Sequence, residues 1–157
     1  QHKIGGYTHE DAEVIAATVA GIPDNLGGKR MAIRVAELAR AGLTPDWMPG
    51  AVPRCVPTIV KQNQHGTHAG AIVVGTERIR VRGSAARSAW KTVEILACPV
   101  TFSPHPQQID AARRGYDDWW QALGWVREGL IAGKMLREVD VTAAMPKARP
   151  WKSRDGR

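Results

Sequence analysis

The chain has 157 residues, a net charge of +7 and 43% hydrophobic residues, a composition typical of one folded domain that excludes global disorder. Its two cysteines are too few for a disulfide framework or an all-cysteine zinc site, and they favour a reducing, cytoplasmic location. No apolar run reaches the roughly 18 residues of a membrane span and no signal pattern is present at the N-terminus, so no membrane partner is predicted.

The positive charge is concentrated in two segments. Residues 54–91 contain seven Lys or Arg and one acidic residue, and residues 145–157 contain five and one. Because clustered cations create a local field that attracts polyanions, nucleic acid is the leading predicted partner, with DNA favoured over RNA. An acidic surface of another protein is the alternative.

The first 44 residues predict two helices joined by a short turn. Thr8 and Asp11 resemble a capping box at the start of the first helix, and an apolar stripe predicts the second over about residues 27–41. The pair fits a helix-turn-helix motif poorly, because Gly27 and Arg30 stand where that motif needs apolar core residues. Three cations of the second helix remain candidates for phosphate contacts: Lys29, Arg30 and Arg34.

Four prolines at a spacing of four between Pro45 and Pro57 predict an extended connector, which is the candidate internal boundary of an otherwise single domain over residues 1–144. Four β-branched runs follow it, and turn residues separate them. They predict an antiparallel meander of three to four strands.

His65 and His68 lie between two of these runs. Two imidazoles three residues apart could bind a transition metal, but Gly66 makes the segment a turn and the spacing matches no ordinary zinc pattern. The sequence therefore predicts no metal site and no cofactor, with a metal at these histidines as the alternative. Cys55 and Cys98 stand at predicted strand ends, where a buried and inert thiol is usual.

The segment from Arg78 to Arg82 alternates arginine with Ile79 and Val81. A strand of period two places the arginines on one face, about 6–7 Å apart. That spacing is close to the phosphate repeat of a nucleic-acid strand, and guanidinium groups bind phosphate in bidentate fashion. The alternative is an edge strand that stays charged against aggregation. The predicted phosphate-binding patch is Arg78, Arg80, Arg82, Arg87 and Lys91.

Apolar residues at three-and-four spacing from Ile109 to Leu130 predict one long helix. Its tryptophans are expected to be core residues rather than platforms for bases. The predicted fold is α+β, with an N-terminal helical hairpin, a central antiparallel β-meander and this helix packed on the sheet. The stripe expected to cover the sheet is Tyr116, Trp119, Leu123 and Val126.

Residues 145–157 are predicted to form a basic tail along a phosphate backbone. The alternative is a solvated chain end, and Trp151 could instead pin the tail to the body of the protein. The predicted contacts of the tail are Lys147, Arg149, Lys152 and Arg154.

Together these patterns predict a non-catalytic nucleic-acid-binding protein with a regulatory or assembly role. The alternatives are a module that docks on an acidic surface of a larger complex and a small metal-dependent enzyme that uses His65 and His68. A short, basic, Trp-rich chain also has the general character of accessory proteins of phages and mobile elements, although no motif carries that hypothesis. Self-association into a homo-oligomer is left open.

Overall fold

The computed structural model describes residues 9–82 and 88–152. Within these ranges it contains three α-helices and six β-strands, so the predicted α+β class is confirmed. The chain divides into two compact units, one of Gln1–Gly50 with Ile109–Arg157 and one of Ala51–Gln108. We call them the helical unit and the strand unit; one division between them falls inside the predicted connector 45–57.

The helices begin and end where local signals place them. They are α1 (Glu10–Ala20), α2 (Gly28–Ala41) and α3 (Pro106–Gly133). The side chain of His9 caps α1 by accepting a hydrogen bond from the Asp11 N–H, whereas Thr8 of the predicted capping box lies outside the described residues. Gly42 ends α2 in the left-handed conformation with φ of 65°, as its C-cap position predicts. None of the described helices combines the length and apolar character needed to cross a membrane.

The core of the helical unit is formed by α2, α3 and the turn after α1. Tyr116, Trp119, Ala122 and Val126 of α3 pack in one buried cluster with residues of the first 50 positions, and Leu123 lies partly buried at its edge. The N-terminal members of this cluster are Ile22, Met31, Ala32 and Val35. The predicted stripe is therefore a core stripe, and its partners in this cluster belong to the N-terminal helices and the turn between them, which present an apolar face of their own.

Two glycines of α3 mark close approaches within the helical unit. A Cβ on Gly115 would lie 3.4 Å from Nη1 of Arg34, and one on Gly129 would lie 3.5 Å from Cγ2 of Thr18. Both distances are ordinary van der Waals contacts, so a methyl group would fit at either position without displacing its neighbour.

A buried carboxylate anchors the segment that follows α3. Asp11 is only 1% exposed, and its two oxygens accept hydrogen bonds from the backbone N–H groups of Arg137, Glu138 and Val139 at 3.0, 2.8 and 2.9 Å. These hydrogen bonds hold the pKa of Asp11 below its ordinary value. Beside it, the hydrogen bond that the His9 ring donates to the Glu138 carboxylate raises the pKa of His9.

The strand unit consists of three separate two-stranded antiparallel sheets, and not the single meander that the sequence predicts. Two of the pairs join consecutive strands, which keeps their ladders local, whereas the third joins the first strand of the unit to the last. Pro99, which has no N–H to donate, separates the fifth strand from the sixth. The pairs are β1 (Arg54–Pro57) with β6 (Val100–Ser103), β2 (Val60–Asn63) with β3 (Gly66–Ala69), and β4 (Ile72–Arg82) with β5 (Ser88–Ala97).

Burial differs sharply between the two units. Every buried apolar side chain in the described ranges belongs to the helical unit. In the strand unit, by contrast, large apolar side chains such as Val74, Leu96 and Phe102 are 50–60% exposed. The described strands therefore expose their large apolar side chains and do not enclose a core of their own.

Candidate nucleic-acid interface

The long hairpin of β4 and β5, which we call the ribbon, presents two arginines and a tryptophan on one face. Arg78 pairs with Thr92 across the ladder, and Arg80 pairs with Trp90. Because directly paired residues of an antiparallel ladder point to the same side, these side chains share a surface. We call this surface the arginine face; it consists of Thr76, Arg78, Arg80, Trp90, Thr92 and Glu94.

Trp90 is the functional candidate that the sequence does not single out. Trp90 is 62% exposed, and the guanidinium carbon of Arg78 lies 5.7 Å from the centroid of its ring, within the range of a cation–π contact. The period-two pattern of β5 indicates that Trp90 shares a face with Thr92 and Glu94. Only the pairing register shows that this face is also the face of the arginines.

The other predicted members of the basic patch do not all join this face. Lys91 pairs with Ile79 and therefore lies on the opposite side of the ribbon, which corrects its predicted place beside the arginines. The reason is that neighbouring residues of a strand point to opposite faces. The backbone of β4 continues to Arg82, which pairs with Ser88, and Arg87 lies outside the described residues.

A β-bulge separates the charged part of the arginine face from an apolar part. The register shifts between Val73 and Gly75, and Val73 pairs with Leu96. Both side chains are more than half exposed and lie on the side of Glu94. The two arginines therefore occupy the half of the face nearer the end of β4, and Glu94 is the charged residue of the other half.

The candidate cations of α2 do not form a single cluster. Arg30 and Arg34 are four residues apart and share one side of the helix, and the guanidinium of Arg34 lies beside Gly115. Lys29 instead lines an open apolar groove of about 710 Å³ between α1 and α2. The exposure of Arg30 and the left-handed Gly27 agree with the poor match to a helix-turn-helix motif.

The described part of the predicted tail is packed on α3. The Tyr116 hydroxyl donates to the Lys147 carbonyl at 2.9 Å, and the Trp120 indole donates to the Pro146 carbonyl at 2.7 Å. Burial raises the pKa of Tyr116, and Asp117 adds to the shift. These hydrogen bonds hold the tail backbone at residues 146 and 147, which precede its remaining cations.

Trp151 pins this segment to the body, as one of the two predicted alternatives has it. Its ring lies 5.9 Å from that of Trp47 and 5.7 Å from that of Tyr116. Arg149 lies 3.5 Å from the Asp117 carboxylate, so part of the tail's charge is neutralised within the protein. Lys152 is exposed, and Arg154 lies outside the described residues.

His65, His68 and the two cysteines lie in the strand unit. His65 lies in the β2–β3 turn, where its backbone N–H donates to the side-chain oxygen of Asn63. His68 pairs with Lys61 across the hairpin. Among residues 9–82 and 88–152, no three His, Cys, Asp or Glu side chains meet in a metal-binding group. Both cysteines are free thiols and exposed, which corrects the prediction that they are buried: a two-stranded sheet offers no interior at its strand ends.

Comparison with known proteins supplies no relative. No protein-family model, curated protein or solved structure matches the chain. Its function is therefore inferred from its own residues and their geometry.

Proposed function

We propose that the protein binds duplex DNA through the arginine face of the ribbon, in a non-catalytic regulatory or assembly role in the cytoplasm. One observation carries the proposal: the register of β4 and β5 places Arg78, Arg80 and the exposed ring of Trp90 on one face. This combination of cations and an aromatic ring matches the chemistry of a phosphate backbone with bases and sugars beside it.

The arginines are available for an external anion. Within the described part of the chain, no carboxylate pairs with Arg78 or Arg80. They stand two residues apart on one strand, which separates their Cα atoms by about 6–7 Å. Guanidinium groups at that spacing can bind successive phosphates.

The shape of the ribbon favours duplex DNA over RNA. A two-stranded β-ribbon fits the major groove of B-DNA, which is about 12 Å wide, whereas the major groove of an A-form RNA helix is too deep and narrow for side chains to read. In such a groove the Trp90 ring would supply apolar contacts to sugars and thymine methyl groups.

The first test replaces both arginines. The double variant Arg78→Gln/Arg80→Gln should keep its fold, because exposed substitutions usually change stability by less than about 0.5 kcal/mol each. Each lost phosphate contact removes about 0.9 from the slope of log K against log salt, so the slope should fall by about 1.8. Fluorescence anisotropy of a labelled duplex between about 50 and 200 mM salt measures it.

A matched control removes two cations elsewhere in the strand unit. Arg54→Gln/Lys61→Gln lowers the net charge equally, and both residues are exposed on other sheets. Its slope should stay close to that of the unsubstituted protein. Equal slopes for the two double variants would contradict a specific role of the arginine face.

Competition separates DNA from an acidic protein surface. Unlabelled duplex should displace the labelled duplex at a concentration, expressed as charge, at least tenfold below that of polyglutamate. Trp90→Ala should reduce this preference, because the ring contacts groups that a polypeptide acid lacks. Equal competition by polyglutamate would refute the assignment to nucleic acid.

A further inference from the structure

The face of the ribbon opposite the arginines is apolar and uncovered. The residues on this side alternate with those of the arginine face along both strands. Five large apolar side chains occupy it, each 36–45% exposed: Ile72, Ile79, Val81, Val93 and Ile95. We call this surface the apolar face.

Such a face requires a cover. A two-stranded hairpin is only marginally stable alone in water and needs packing on one side. Five branched side chains at this exposure amount to roughly 400 Å² of apolar surface, comparable with the largest apolar patch of a typical soluble monomer, which is often functional. The five side chains therefore form a candidate contact surface and not scattered surface residues.

The charges on the apolar face point to its occupant. Glu77 and Lys91 are the two charged residues there. Glu77 pairs with Val93, and Lys91 occupies the next position on this face of β5, so the two charged residues are diagonal neighbours. The face therefore has no net charge and carries one group of each sign side by side. A polyanion gains nothing from such a surface, whereas a second copy of it supplies both complementary groups, as a two-fold interface requires.

We propose that the apolar face packs against the apolar face of a second copy of this chain. A two-fold axis along the ribbon lays β4 over β5 of the other copy. In this arrangement Glu77 of each copy lies about 7 Å, measured along the strand, from Lys91 of the other copy. Two patches bury together about 800–1,000 Å², which is below the roughly 1,200 Å² of a stable interface and in the range of weak, transient ones. The arginine faces then point outwards, on opposite sides of a two-layer sandwich.

The oligomeric state of the full chain tests this arrangement. Sedimentation velocity from about 1 to 200 µM should show a concentration-dependent dimer, because an interface of this size is expected to dissociate on dilution. Ile79→Lys should weaken association at least tenfold. Thr92→Lys adds the same charge on the arginine face and should leave association unchanged. A monomer at every concentration, or equal behaviour of the two variants, would overturn the proposal.

A charge exchange keeps the test independent of folding. Glu77→Lys and Lys91→Glu each leave two like charges on the face and should each raise the dimer dissociation constant several-fold, while the double exchange should restore it. An effect confined to one hairpin would not vary with protein concentration. A double variant that associates as weakly as the single variants would contradict the two-fold arrangement.

Discussion

Trp119→Ala is expected to lower the free energy of unfolding of the helical unit by about 3–5 kcal/mol, the usual cost of removing a large aromatic side chain from a core. Trp119 is 4% exposed and packs in the cluster that joins α3 to the N-terminal helices. Its ring also lies 5.4 Å from that of Tyr116. Losses of this size are a large share of the stability of an ordinary domain, so a fall in Tm of 10 °C or more should follow.

Two other tryptophan variants isolate the cause of this loss. The Trp119 indole N–H is buried without a hydrogen-bond partner among the described residues, so Trp119→Phe removes an unsatisfied donor while keeping most of the packing. It should cost less than about 1.5 kcal/mol. Trp125→Ala, at a position 36% exposed on the same helix, should cost about 1 kcal/mol. Equal losses at both tryptophans, measured by thermal and denaturant unfolding, would refute the core described for α3.

Asp11→Ala should produce the second large loss, a fall in Tm on the order of 5–10 °C at neutral pH. The substitution leaves the N–H groups of Arg137, Glu138 and Val139 without the acceptor that they share. Unpaired backbone donors in a part-buried site are costly. Asp11→Asn should be intermediate, because an amide offers one acceptor oxygen and turns a donor towards the other N–H groups.

The effect of Asp11 should depend on pH in a direction opposite to that of its neighbour. The folded-state pKa of Asp11 is lowered by the three backbone hydrogen bonds, so its contribution is complete above the unfolded value of about 3.9 and is lost as the pH falls through the folded pKa. The pKa of His9 is raised by Glu138, so its contribution is complete below about 6.5 and is lost as the pH rises through the folded pKa.

Thermal melts across this range check both signs. The difference in Tm between the unsubstituted protein and Asp11→Asn should shrink below pH 4, and that for Glu138→Gln should shrink above pH 7. A difference for Asp11→Asn that persists unchanged in strong acid would show that the carboxylate charge contributes nothing to the anchor.

The sequence by itself determined the helices and the alternation of the arginines. The second helix is predicted over residues 27–41 and observed as Gly28–Ala41, and the long helix is predicted over 109–130 and observed as Pro106–Gly133. These features depend on local periodicity and on helix caps, both of which are determined by residues close together in the sequence. The alternation of Arg78 and Arg80 with Ile79 and Val81 likewise needs only the pleat of one strand.

Only the tertiary structure decided what each face meets. The apolar stripe of α3 predicts that this face is buried but does not predict which residues cover it. In the structure Met31, Ala32 and Val35 pack against it. Asp11 reaches backbone groups more than 120 residues away, a contact that no local pattern contains. The faces of Trp90 and Lys91 depend on how β5 registers against β4, and a shift of one residue would exchange them. Local periods specify elements, whereas register and packing arise between distant segments and therefore decide which side chains share a face.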